Sequence, residues 1–146
     1  MLQRAHSLLF PFVACAFVAS GCTKSTTDRN ITWVEPDAAI KAMTTKQGTF
    51  GMGGLPDGLW IDAREPAAYA KAHIPDATNI PFPKLDEMYP SIRDKTLIIV
   101  YDQDYSDVIA KAVSKRLFEL GQKNVLTLKG GITAWERDGN PVVTGP

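Results

Sequence analysis

The chain has 146 residues, 45% hydrophobic and 22% charged, which is enough apolar material for one core and not comfortably for two. Sixteen basic residues balance sixteen acidic ones, so bulk charge offers no footprint for nucleic acid or an anionic lipid surface. The two cysteines, Cys15 and Cys22, both lie near the start, and they bound every reading that needs a thiol.

The first segment, MLQRAHSLLFPFVACAFVASGC, places Arg4 ahead of an apolar run from Leu8 to Ala19 and then small residues. That is the pattern of a secretory signal, and it is too short for a spanning helix. Ala19-Ser20-Gly21-Cys22 resembles a bacterial lipobox, which implies a signal peptide over 1–21 and a lipid on Cys22. An ordinary secretory signal ending near Ser20 and an uncleaved anchor are the alternatives. Cutting at Cys15 would halve the apolar run. Processing at Cys22 removes Arg4 and no acid, leaving 15 basic and 16 acidic residues and a formal charge of −1. With Cys22 acylated, no free thiol remains. Thr23 to Asn30 is polar and without apolar periodicity, so residues 22–30 are expected to form a flexible tether to the membrane. The expected location is the bacterial cell envelope, facing the periplasm. The absence of aspartate at position 23 favours the outer membrane over the inner if enteric sorting rules apply.

From Ile31 onward strand and helix patterns alternate, which predicts an α/β layer structure with a mostly parallel five-stranded sheet and helices on both faces, one domain over 31–146. Ile31–Val34 reads as a strand. Pro36 opens a helix carrying Ala38, Ala39, Ile40 and Met43. Lys46–Gly58, with five glycines and one proline, is a long loop, and its Phe50 and Met52 are either partner contacts or disordered. Leu59–Ile61 is a strand ending at Asp62, Pro66 starts a short helix through Lys71, and Ala77–Ile80 is a third strand between prolines. Thr96–Val100 is a nearly unbroken apolar run, as in a strand covered on both faces. The next helix aligns Ile109, Ala112, Val113, Leu117 and Leu120 on one stripe and stops at Gly121. Val125–Leu128 is the last strand, and Gly130-Gly131 leads into a helix through Trp135. Trp33, Trp60 and Trp135 are expected in core or edge packing.

Two stretches carry a resemblance. Trp60 to Phe82, WIDAREPAAYAKAHIPDATNIPF, is similar to the D-x-R-E…G-H-I-P-G-A-x-N-[IV]-P signature of rhodanese-like domains. Leu97 to Val142 resembles the family's second half: strand, active-site loop, helix, then L-x-G-G-x-x-x-W and a closing G-x-P-V. The resemblance implies a sulfur-transfer scaffold, in which a cysteine after the fourth strand takes a sulfane sulfur as a persulfide. Its thiolate is stabilised at a helix N-terminus, where free N–H groups and the helix dipole bind an anion. Asp102 matches that cysteine. The loop pattern C-x-x-G-x-R-[ST] becomes Asp102-Gln103-Asp104-Tyr105-Ser106-Asp107-Val108, with Tyr105 for the glycine and Asp107 for the cation.

Three carboxylates in six residues oppose an anionic sulfur donor. The sequence therefore leads to the expectation of a rhodanese-like domain without sulfurtransferase activity, a binding or regulatory module for an unidentified envelope protein. The Asp102 carboxylate is expected to accept the loop N–H groups, with Ser106 or Asp107 capping the helix. Asp62 and Arg64 match the family's D-x-R, either as pocket rim or as a salt bridge ordering a strand-to-helix corner. His73 is a turn-packing residue rather than a ligand. No cofactor, metal or nucleic acid is implied: the acids lack the ligand alternation of a calcium loop, and His6 lies in the signal. The alternatives are an enzyme using Asp102 or a metal in the same loop, and a non-catalytic binder of a sulfur compound.

Overall fold

In the computed structural model, which describes residues 26–46 and 53–146, five strands and five helices alternate among the described residues. They run β1 (Thr32–Val34), α1 (Pro36–Thr44), β2 (Gly58–Asp62), α2 (Pro66–Lys71), β3 (Thr78–Asn79), α3 (Leu85–Ile92), β4 (Leu97–Tyr101), α4 (Val108–Glu119), β5 (Val125–Leu128) and α5 (Gly131–Arg137). The strands form one sheet in the order β1-β5-β4-β2-β3, and every ladder in it is parallel. β4 lies at the centre and is buried at all five positions, as its unbroken apolar sequence requires.

Side chains alternate across β4 and divide the core into two layers. Ile98 and Val100 pack with Leu85 and Ile92 of α3 and with Ala110, Val113 and Leu117 of α4. Leu97, Ile99 and Tyr101 pack on the other face with Ala39 of α1 and with Ile132 and Trp135 of α5. The fold is thus the expected parallel α/β layer structure, with helices on both faces. Trp60 and Trp135 meet edge to face at 5.3 Å in the second layer, whereas Trp33 on the edge strand is exposed.

Several local expectations change. No helix was expected between Pro83 and Lys95, yet α3 is there. Leu85, Met88, Tyr89 and Ile92 have helical spacing, and Pro90 inside the helix disguises it. Pro90 has no N–H to offer the carbonyl four residues back, which keeps the helix short. β2 begins at Gly58, assigned by sequence to the loop, because Gly58 pairs with Leu97. β3 is two residues, Thr78–Asn79, and not the four expected.

On α4 the buried face is Ala110, Val113, Ser114 and Leu117, and Ile109 is exposed. The buried Ser114 hydroxyl pairs with Thr127 of β5 at 2.8 Å, so a polar residue takes an inward position that hydrophobicity alone assigned elsewhere. The described part of the stretch expected to form a tether packs on the domain. Asp28–Asn30 form a 3-10 turn, Asp28 pairs with Lys115, and the Thr26 hydroxyl donates to Glu119 at 2.9 Å, so this stretch is laid on α4. Phe50, Met52, Cys15 and Cys22 lie outside the described residues.

Candidate functional site

The parallel register brings the C-terminal ends of β2 and β4 side by side. Asp62 pairs with Tyr101, the Ala63 N–H donates to the Tyr101 carbonyl at 2.9 Å, and the chain then enters the 102–107 loop. The two regions singled out in the sequence, the Asp62/Arg64 corner and the acidic loop, are therefore neighbours.

Asp102 is 4% exposed, and its Oδ2 accepts the N–H groups of Ile109 at 3.0 Å and Ala110 at 3.1 Å. These are the unpaired donors of the first turn of α4. The helix is thus capped from across the loop. Neither Ser106 nor Asp107, the expected caps, does this: Asp107 holds the N-cap position with φ +49° but makes no cap bond, and Ser106 gives its N–H to Asp104 at 2.9 Å. Asp107 turns its carboxylate to the Gly130 N–H at 3.2 Å instead. Asp107 sits in the left-handed region between the loop and α4, and aspartate is among the residues that tolerate αL backbone.

The second layer of contacts comes from the β5–α5 turn. Ile132 N–H donates to the Asp102 carbonyl at 2.9 Å, and the Thr133 N–H and hydroxyl both donate to the Gln103 carbonyl, at 3.1 and 2.7 Å. Gly131 has φ +54°, and a Cβ there would overlap the Asp102 carbonyl oxygen. Tyr105 lies over Gly130 and receives a hydrogen bond from Arg137.

Arg64 is the hub on the other side. Its Nε donates to Asp62 Oδ1 at 3.0 Å and its Nη2 to Asp62 Oδ2 at 2.7 Å, a bidentate pair buried on both sides. Nη2 also reaches the Ala72 carbonyl at 2.6 Å, and Nη1 reaches Gln103 Oε1 at 3.0 Å. Burial works against the guanidinium charge, but the bonds to Asp62 and its charge outweigh this and hold the Arg64 pKa above its ordinary value. The pair therefore both orders the corner and touches the loop. A cavity of about 480 Å³ opens beside it, lined by Arg64, Lys71, Gln103, Ile132 and Glu136 among others. His73 packs in its turn, stacked on Tyr69 with Nδ1 at 2.9 Å from the Tyr69 carbonyl.

Sequence reading missed three groups here. Tyr101, just past the apolar run Thr96–Val100, carries no signal in the sequence, yet its hydroxyl accepts the Ile74 N–H at 3.1 Å, and burial pushes the phenol far above its usual range. Asn79 donates to the carbonyls of Asp62 and Arg64 at 3.1 and 2.8 Å, locking the corner. The tandem glycines 130 and 131 signalled a turn, and only the tertiary structure shows that they meet the acidic loop.

The loop carboxyls are held unequally. Burial raises the Asp102 pKa, the N–H bonds from Ala110 and Ile109 pull it back only in part, and the Asp104 charge raises it further. Its Oδ1 is buried with no partner among the described residues, which is where the burial penalty falls. Burial raises Asp107 to about 6, with the Asp102 and Asp104 charges adding to the effect. Exposed Asp104 is lowered by the Ser106 N–H.

Two predictions follow from these contacts. Asp102→Ala leaves the Ile109 and Ala110 donors without an acceptor, so urea unfolding is expected to show a loss of about 1–3 kcal/mol. For Asp107, the folded state binds its proton more tightly than the unfolded chain does. Its contribution to stability is complete below the unfolded pKa of about 3.9 and is lost as pH rises through the folded value of about 6. Asp107→Asn is then expected to raise stability at pH 7 by about 1 kcal/mol, after allowance for solvent screening, and to flatten the stability profile between about pH 4 and 6.

The rhodanese-like domain family matches residues 50–138. A sulfurtransferase of Allochromatium vinosum is 33% identical over 87 residues, covering 60% of this chain and 79% of that protein. Among solved structures, a Bacillus halodurans protein superposes with a TM-score of 0.58 at 26% identity over 77% of each chain. The thiosulfate sulfurtransferase of Pseudomonas aeruginosa does so at 0.60 and 25% identity, over 79% of this chain but 20% of that one. With the family's sequence pattern matched over residues 50–138, more than half of the chain, and with the α/β fold shared with those structures, the chain belongs to the rhodanese-like domain family.

Proposed function

We propose that this protein is a rhodanese-like module of the cell envelope, anchored by a lipid on Cys22 and facing the periplasm, that binds a partner protein and does not transfer sulfur. The observation that carries the reading is the position of the Asp102 carboxylate. It follows β4 where the family resemblance calls for cysteine, and its Oδ2 occupies the two N–H groups at the mouth of α4. A persulfide requires a protein sulfur to form the S–S bond, and a carboxylate has none to give. With Cys22 acylated and Cys15 removed, no other thiol can substitute.

The same geometry weighs against an aspartate-based enzyme. The Asp102 Oδ2 and the carboxylate of Asp107 are engaged with backbone N–H groups, and Asp102 Oδ1, which has no partner among the described residues, is buried, so neither carboxylate is open to a substrate. Anchoring rests on the lipobox-like sequence, since no helix among the described residues is long and apolar enough to cross a membrane.

The test is thiocyanate formation from thiosulfate and cyanide by the purified full chain, beside an Asp102→Cys variant. The unaltered chain is expected to give no turnover. Asp102→Cys restores the sulfur at the helix N-terminus and is expected to accept a persulfide, visible as an added 32 Da ~ one sulfur atom, with slow turnover because Asp104 and Asp107 repel thiosulfate. Turnover by the unaltered chain overturns the reading.

A further inference from the structure

We infer that the strap Thr26–Asn30 orients the domain on its membrane, holding the N-terminal rim of the sheet against phospholipid headgroups and the acidic loop away from them. The inference deepens the proposed anchoring and rests on it.

The observation is where the strap is held: Thr26 bonds to Glu119 at 2.9 Å, and Asp28 pairs with Lys115, which fixes Thr26 at the last two turns of α4. Four residue steps separate Thr26 from Cys22, a reach of at most about 14 Å. Were the strap loose as far as Ile31, nine steps would reach about 32 Å and the domain could turn freely over its anchor. Docking thus removes more than half of the reach.

The end of the molecule held near the lipid has matching chemistry. The N-terminal ends of β1, β4 and β5 border a cavity of about 830 Å³ whose lining includes Asn30, Leu55, Phe118 and Lys123. Leu55 is 61% exposed. Lys123 and Arg29 are exposed and in no ion pair among the described residues. An exposed apolar side chain with two unpaired cations suits the interface of a bilayer containing anionic phospholipid.

The acidic loop lies at the opposite end of α4. Twelve helical residues place it about 18 Å farther from the anchored end. A partner would then approach from the aqueous side, as a soluble protein or a soluble domain, and not from within the same bilayer.

The test uses the full chain produced with its signal, carrying Leu55→Cys or Ser106→Cys and a fluorophore on the new thiol. The protein is reconstituted in phosphatidylethanolamine–phosphatidylglycerol vesicles containing a lipid with a nitroxide headgroup. Quenching is expected to be several-fold stronger at position 55 than at 106. Adding Asp28→Lys, which opposes Lys115 and frees the strap, is expected to bring the two positions close together. Equal or reversed quenching with the strap intact overturns the orientation while leaving the anchor in place, and so does a contrast that survives Asp28→Lys. Labelling of the unaltered chain at Cys22 shows that no acyl anchor exists, which removes the proposed anchoring and the orientation with it.

Discussion

Arg64→Ala is expected to lower stability by about 3–5 kcal/mol, because it leaves Asp62 as an uncompensated buried charge. Asp62 is fully buried, and among the described residues its carboxylate accepts hydrogen bonds from the Arg64 Nε and Nη2 and, at 2.9 Å, from the Arg64 backbone N–H. The substitution also strips the Ala72 carbonyl of a donor and releases Gln103, the first residue after Asp102. Against a total stability of about 5–15 kcal/mol, the loss is large enough to be read directly from urea midpoints. Adding Asp62→Asn to the variant should recover part of it, since most of the penalty is the stranded charge and not the missing contact. An unchanged midpoint in Arg64→Ala would show that solvent reaches Asp62.

The other large effect is at Gly131, where Gly131→Ala is expected to cost about 3 kcal/mol. The φ of +54° alone disfavours any L side chain by about 1–2 kcal/mol. A Cβ there also overlaps the Asp102 carbonyl, so the turn must move and the bonds from Ile132 and Thr133 to the loop must stretch, at about 0.5–1.5 kcal/mol each. Gly139→Ala is the control. Its φ is +78° but open space surrounds it, so only the backbone strain of about 1–2 kcal/mol should appear. Thermal melts of the two variants separate the clash from the strain, and equal losses would mean that Gly131 does not support the acidic loop.

Much of the scaffold could be read from local patterns. The run Leu97–Val100 marked the central strand because burial on both faces removes the polar alternation of an exposed sheet. The apolar residues from Ala38 to Met43 and from Ile109 to Leu120 mark helices because one side of each must face the sheet. α3 escaped because proline is read as a breaker, whereas tertiary burial of Leu85 and Ile92 holds the short helix despite the lost hydrogen bond. Ile109 was placed inward because apolar spacing fits more than one helix face. The Ser114–Thr127 bond selects the face that the structure uses.

The acids of the loop, the cysteines near the start and the D-x-R corner are facts of the sequence alone, because they depend on which residues are present and in what order. Which oxygen meets which N–H was decided only by the tertiary structure. Asp107 turns to Gly130 across 23 residues of chain, and Arg64 reaches Gln103 across 39. Each of these bonds joins groups on different elements. Their geometry follows from how β2, β4 and the β5–α5 turn align in the sheet, and no window of sequence contains that alignment.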